Sequence, residues 1–76
     1  MIMMVEKDLS IAAMHRIIRK AGAERVSKSA SKELAKVLEE IGLKISRDAL
    51  EFALHAGRVT VQERDVKIAA RKFMNR

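Results

Sequence analysis

One long stretch, Ser27 to Ala56, constrains the fold of this chain more than any other feature. It contains no proline, and its apolar residues recur at helical spacing, which predicts a single amphipathic helix. The segments on either side are alike: each reads Ala-Gly, then Arg-Val, then a hydroxyl residue, over residues 21–27 and 56–60. We therefore expect two related helix–loop–helix units that share one long central helix.

A short helix is predicted before the long one, over about residues 10–20. Asp8 or Ser10 can serve as its N-cap, and Gly22 follows its end, where a left-handed backbone costs glycine little. The next loop is short, and Ser27 is the predicted N-cap of the long helix. These signals place a complete helix–loop–helix unit before the middle of the chain.

A second short helix is predicted after the long one, over about residues 61–74. Gly57 follows the end of the long helix, as Gly22 follows the first. Thr60-Val61-Gln62-Glu63 matches a capping box, which predicts Thr60 as the N-cap of this last helix. The chain is therefore expected to be all-α.

The apolar faces of the three predicted helices follow from the same spacing. We expect a second apolar stripe of the long helix, Leu43, Leu50 and Leu54, to lie under a short helix. The residues predicted to be buried are Ile11, Met14, Ile17, Ile18 and Ala21 in the first helix and Val66, Ala69, Ala70 and Phe73 in the third. One apolar face of the long helix is predicted to carry Leu34, Leu38, Ile41, Ile45, Ala49, Phe52 and Ala56.

Gly42 lies almost at the midpoint of the long helix, where glycine costs about 1 kcal/mol relative to alanine. A close crossing by another helix explains it, and the best candidate is the same helix of a second subunit. The expected dimer interface consists of Leu34, Leu38, Gly42, Ile45 and Ala49.

The length of the chain also favours an oligomer. Its 76 residues form one small domain, and without cysteine no disulfide or thiolate metal site supports the core. We expect a single domain over residues 9–76, preceded by an extension over residues 1–8. That extension is too short and too charged for a signal peptide or a membrane span, which predicts a cytoplasmic protein.

Positive charge is concentrated outside the long helix. Residues 1–26 carry +2, residues 27–56 carry 0 and residues 57–76 carry +4, for a total of +6. A localised excess of this kind favours an anionic partner, most simply nucleic acid, with a solvated basic surface as the alternative. Since aromatic platforms for single strands are lacking, we expect duplex binding.

The sequence shows no pattern for catalysis. It contains no nucleophile–base arrangement and no phosphate-binding glycine loop, so an enzyme with a small-molecule substrate is not expected. His15 and His55 lack the spacing of metal ligands, so neither a metal nor a cofactor is predicted. The balanced charges opposite the apolar face argue against a membrane surface.

Three segments carry a resemblance to a known family. They are residues 17–27, which read IIRKAGAERVS, residues 34–40, which read LAKVLEE, and residues 55–58, which read HAGR and are followed by Thr60. They closely resemble the minimal archaeal histones, over residues 9–74 and without gaps. The resemblance implies a histone fold and a handshake homodimer that binds, bends, wraps and compacts double-stranded DNA without sequence specificity.

The resemblance also implies roles for single residues. Arg25 matches an arginine that enters the minor groove, and Thr60 lies beside it; Gly22 matches a residue that lets stacked dimers approach. Arg58 and Asp65 match a pair that braces the second loop. Phe52, His55 and Asp65 match the contact that joins dimers into tetramers or longer assemblies on DNA. The predicted DNA-binding residues are Arg16, Arg19, Lys20, Arg25, Val26, Ser27, Lys28, Arg58, Thr60, Val61 and Arg64.

Several positions depart from the family pattern. Val59 stands where many relatives carry a lysine, which removes one phosphate contact per loop. Lys28 and Ser29 stand where relatives often carry acids, which adds positive charge nearby. Ser10 and His15 replace a common proline and a common glycine in the first helix.

Two functions from different classes remain open. The first is a chromosome- or nucleoid-associated histone that packages DNA as a homodimer, or as a heterodimer with a paralogous histone. The second is a histone-fold interaction subunit of a transcription-related complex, which predicts a weak homodimer and little DNA affinity alone. The basic loops and the self-complementary long helix favour the first.

Overall fold

A computed structural model describes residues 9–75, which form three helices joined by two loops. The helices are α1 (Ile11–Lys20), α2 (Lys28–His55) and α3 (Glu63–Met74). The described residues contain no strand, and the predicted all-α class is confirmed. The extension predicted over residues 1–8 lies outside the described residues.

The chain consists of two compact units, and the boundary between them lies between Glu40 and Ile41, inside α2. The first unit contains α1, the first loop and the N-terminal part of α2. The second unit contains the rest of α2, the second loop and α3. Each unit is described below by itself.

The start of α1 is capped as the sequence predicts. Ser10 has an extended backbone, and its hydroxyl oxygen accepts a hydrogen bond from the Ala13 N–H at 3.1 Å. Gly22 follows the helix end with φ of 114°, a left-handed conformation that a side chain would strain. Arg19 and Lys20 occupy the last turn, where cations suit the negative end of the helix dipole.

The two ends of α2 also follow the sequence signals. The Ser27 hydroxyl oxygen accepts a hydrogen bond from the Ala30 N–H at 3.1 Å, which caps the helix. At the other end Gly57 has φ of 78°, and the N–H of Arg58 donates to the Ala53 carbonyl at 2.9 Å. This 6→1 bond is the Schellman closure typical of a helix that ends in glycine.

The predicted start of α3 is wrong by two residues. Gln62, with an extended backbone, is the N-cap, and Thr60 and Val61 lie in the loop before it. The reason is the carboxylate of Asp65, which accepts a hydrogen bond from the Gln62 N–H at 2.8 Å. Asp65 therefore supplies the reciprocal bond of a capping box that the sequence pattern assigned to Glu63.

Small residues form most of the core. In the first unit Met14, Ala35 and the polar Ser31 are buried, and in the second Ala49, Ala53 and Ala69 are buried with Asp65. The predicted burial of Ile17, Ala21 and Val66 is wrong for the chain by itself. The prediction that a short helix covers the second apolar stripe of α2 is also wrong for the single chain. The large apolar side chains that stay exposed are Ile17, Val37, Leu43, Leu50, Leu54, Val59, Val61, Val66, Ile68 and Met74.

The hydroxyl of Ser31 is the one buried side-chain polar atom within residues 9–75 that has no hydrogen-bond partner. Leaving such a group unsatisfied costs about 1–3 kcal/mol. We therefore expect Ser31→Ala to raise the free energy of unfolding by about 1 kcal/mol.

Urea denaturation at one fixed protein concentration measures this change, since an oligomer's stability depends on concentration. Ser46→Ala is the matched control, because Ser46 is an exposed serine of the same helix. If Ser31→Ala is less stable than Ser46→Ala, the Ser31 hydroxyl makes a stabilising hydrogen bond, and its description as a buried group without a partner is wrong.

Candidate nucleic-acid interface

The first loop presents cations that nothing in the described chain neutralises. Arg25 and Lys28 are exposed, and within residues 9–75 neither makes a hydrogen bond or an ion pair through its side chain. The first turn of α2 contains no acidic residue. No carboxylate of that turn therefore competes with an external anion for the start of the helix.

The outer face of α1 extends this positive surface. Arg16, Arg19 and Lys20 are exposed and line one open concavity together with His15, which is half-buried. Arg19 also donates from Nη1 to the Glu24 carbonyl at 3.4 Å, a long bond that links α1 to the first loop. Of the other residues predicted to bind DNA in this unit, Ser27 is exposed and Val26 is half-buried.

The second loop is organised differently, around an ion pair. Arg58 donates from Nη1 to one oxygen of Asp65 at 2.9 Å and from Nη2 to the other at 3.0 Å. The Nη1 group also donates to the Thr60 carbonyl at 3.1 Å. The Arg58 side chain is 22% exposed. The pair that the sequence resemblance implies is therefore present, and it ties the loop to the start of α3.

The same bonds change the acidity of Asp65. The Arg58 guanidinium and then the Gln62 N–H stabilise the carboxylate, which lowers the pKa of Asp65 from 3.8 to about 2. The hydrogen bond to Asp65 also raises the pKa of Arg58. Asp65 is 1% exposed, and both of its oxygens accept hydrogen bonds within the chain.

The remaining second-loop residues differ in what they offer. Thr60, Val61 and Arg64 are exposed, as predicted DNA contacts must be. Gln62 has a role that was not predicted from the sequence, since its N–H anchors Asp65. The sequence contains a signal for this role, because Gln62 and Asp65 are three residues apart, as the two residues of a capping box are.

The predicted contact between dimers contains Phe52 and His55 as well as Asp65. Phe52 is half-buried, and the Lys72 ammonium lies 5.9 Å from the centre of its ring. His55 is exposed, and its Nδ1 lies 3.0 Å from the Glu51 carbonyl oxygen. Since a carbonyl only accepts, Nδ1 carries the hydrogen, and Nε2 is the acceptor of the neutral ring.

Four of the five residues assigned to the dimer interface retain exposed surface. Leu34, Leu38 and Ile45 are half-buried, and a Cβ added to Gly42 would meet no atom within 4 Å. Ala49 is the exception, because it is 0% exposed. We therefore assign Ala49 to the core of the second unit, where a second subunit cannot reach it.

Residues 9–75 offer neither a membrane-spanning segment nor a metal site. None of the three helices is long and apolar enough to cross a membrane. No group of three or more His, Cys, Asp or Glu side chains in this range is placed to hold a metal ion.

Comparison with known proteins identifies the family. Residues 7–70 match the model of the histone-like transcription factors (CBF/NF-Y) and archaeal histones. The chain belongs to this family. It is 53% identical over 64 residues to one of the subunits of archaeal histone HAN1 from Thermococcus zilligii, and 50% identical over 64 residues to probable archaeal histone 3 of Methanocaldococcus jannaschii. Each match covers 84% of this chain and 96% of the relative.

Family membership confirms the predicted histone fold, in which two chains pair. Archaeal histones are DNA-associated proteins and are not enzymes. Within this histone-fold chain, the structure separates two kinds of loop. The first leaves its arginine and the start of α2 open to an anion, and the second neutralises its arginine internally.

The Arg58–Asp65 pair predicts a specific loss of stability in acid. Since the folded-state pKa of Asp65 is lowered, its contribution is complete above about pH 4 and is lost as pH falls towards 2. Asp65→Asn should be less stable than the parent at neutral pH, and the difference should shrink between pH 4 and pH 2.

Thermal unfolding across this pH range measures the effect. Asp48→Asn is the control, because Asp48 also has an ion-pair partner, Lys44, but at 3.6 Å and with greater exposure. If the unfolding temperatures of Asp65→Asn and of the parent differ by the same amount at every pH, the Arg58–Asp65 pair does not cause the loss of stability in acid.

Proposed function

We propose that this histone-fold chain packages DNA: it binds double-stranded DNA without sequence specificity, and it bends, wraps and compacts it. The observation that carries this conclusion is the match of 64 residues to archaeal histones at 50% and 53% identity. The exposed cations of α1 and the first loop support it physically. Chromosome association follows from this activity.

Phosphate binding at the first loop has a simple physical basis. The N–H groups at the start of a helix attract anions, and acids in the first turn compete with them. Neither α1 nor α2 has an acid in its first turn. Lys28 begins α2 and adds a cation where the dipole by itself favours an anion. A docked phosphate satisfies both the N–H groups and the lysine.

Arg25 is suited to the minor groove. Its guanidinium has no partner in residues 9–75, so it enters a groove without breaking a bond inside that part of the chain. Arginine is favoured in narrow minor grooves, whose width depends on sequence, so specificity comes from shape and bendability. This is how a chain without base-reading side chains still prefers some DNA segments.

Pairing of two chains covers the apolar surface that one chain leaves exposed. In the handshake arrangement the long helices cross near Gly42, where the chain itself leaves open space. The first loop of one chain then lies beside the second loop of its partner. Each dimer thus presents two such loop pairs to the duplex, together with the start of α1.

Larger assemblies extend the same arrangement. Phe52 and His55 form the surface through which dimers join into tetramers or longer arrays on DNA, and both retain exposed surface. Gly22, with open space around it, lets stacked dimers approach. A heterodimer with a paralogous histone uses the same long-helix interface.

The alternative is a role as an interaction subunit of a transcription-related complex, since the family also includes transcription factors of the CBF/NF-Y type. Under that alternative the chain pairs with a different histone-fold chain and binds DNA weakly alone. The unpaired cations of the first loop favour DNA packaging by the chain itself.

DNA binding by the purified protein tests the proposed function. At low salt the protein should reduce the electrophoretic mobility of duplex DNA of random sequence. The affinity should fall by roughly three orders of magnitude or more between about 50 and 200 mM salt. Absence of a shift at low salt would contradict DNA packaging and favour the role in a transcription-related complex.

Arg25→Ala tests the groove contact. It should weaken binding to all sequences and lower the slope of log affinity against log salt by about 1.8, because a dimer contributes two copies. Arg47→Ala is the control, since Arg47 is an exposed arginine of α2 without an ion pair in residues 9–75. Equal slopes for the two variants would show that Arg25 is not a DNA contact.

Phe52→Glu tests the contact between dimers. A charge there should leave dimers intact but shorten the footprints that nuclease digestion leaves on long DNA. Met74→Glu, an exposed apolar position at the end of α3, controls for the added charge. Footprints of parental length from Phe52→Glu would remove Phe52 from the interface.

A further inference from the structure

The two loops of this chain have nearly the same sequence but opposite electrostatics. Arg25 in the first loop and Arg58 in the second occupy matching places before valine and a hydroxyl residue. Arg25 is exposed and unpaired within residues 9–75, whereas both terminal nitrogens of Arg58 are bound to Asp65. The two loops therefore have similar sequences but differ in the positive charge that is available to bind an anion.

The helix that follows each loop shows the same difference. α2, after the first loop, begins with Lys28 and has no acid in its first turn. α3, after the second loop, has Glu63 and Asp65 in its first turn. Because these carboxylates already stabilise the positive end of the helix dipole, the start of α3 attracts an external phosphate less than the start of α2 does.

The tip of the second loop carries no charge. Val59 is 87% exposed, more than any other large apolar side chain described. It lies between Arg58, whose charge is neutralised by Asp65, and Thr60, whose carbonyl accepts from Arg58. The exposed Val59 side chain is neutral, so it cannot release a counterion from DNA.

We propose that the two loops divide DNA binding between them: the first loop and α1 supply the salt-dependent phosphate contacts, and the second loop, with Val59 at its tip, is an uncharged contact. This inference rests on the proposed function and deepens it. Each dimer edge then has one charged loop, from one chain, beside one uncharged loop from its partner. The salt dependence of binding is smaller than the number of loop cations suggests, because Arg58 does not contribute.

The test is to place a cation at the tip and measure the salt slope. Val59→Lys should steepen the slope of log affinity against log salt by about 1.8, which is about 0.9 for each of two copies in a dimer. Met74→Lys is the matched control: it adds the same charge at an exposed apolar position at the other end of α3. It should leave the slope at the parental value.

The outcomes separate the possibilities. A steeper slope for Val59→Lys alone supports the division between loops. A parental slope for Val59→Lys overturns it, because the tip then faces no phosphate; equal steepening by Met74→Lys also overturns it, because net charge then explains the effect. If the parent itself fails to bind DNA, the proposed function fails instead.

Circular dichroism establishes that each variant is folded before its slope is used. Val59→Arg provides a second version of the test, since it adds the same charge on a different side chain. A parental slope for a folded Val59→Arg carries the same contradiction.

Discussion

A single chain leaves much of the apolar surface of α2 uncovered. The buried residues of each unit are mostly alanines, while Leu43, Leu50 and Leu54 remain exposed on a helix of 28 residues. Burial of such side chains is the main source of folding free energy, about 25 cal/mol per Å² of apolar surface. The long helix therefore needs a second histone-fold chain, and pairing is part of folding.

In the proposed dimer, pairing also brings the DNA-binding loops together. The loops at the two ends of α2 are closed by local bonds: the Ser27 cap on one side, and the Gly57 closure with the Arg58–Asp65 pair on the other. These bonds hold each loop in shape without a partner, so that the dimer brings two formed loops together. Under the proposed function, the neutral long helix mediates dimerisation and the basic flanks bind phosphate.

The features that depend on neighbouring residues were predictable from the sequence. Ser27 and the two glycines were placed correctly, and Ser10 is one of the two caps that the sequence offered for α1, because caps and left-handed turns depend on residues within one helical turn. The start of α3 was misplaced, because two capping patterns overlap there and the carboxylate of Asp65, held also by Arg58, decides between them. Periodicity predicted which faces are apolar, but it does not state what covers them, so Ile17 and Val66 are exposed in a single chain.

In the proposed dimer the long helices of two chains cross at Gly42, and a disulfide can detect this crossing. The chain contains no cysteine, so Gly42→Cys introduces one thiol in each chain at a position where the chain itself leaves room. Oxidation in dilute solution should give a covalent dimer on a non-reducing gel, while Arg47→Cys, on a different side of the helix, should run as a monomer. If both variants cross-link equally, or if only Arg47→Cys does, the helices do not cross at Gly42.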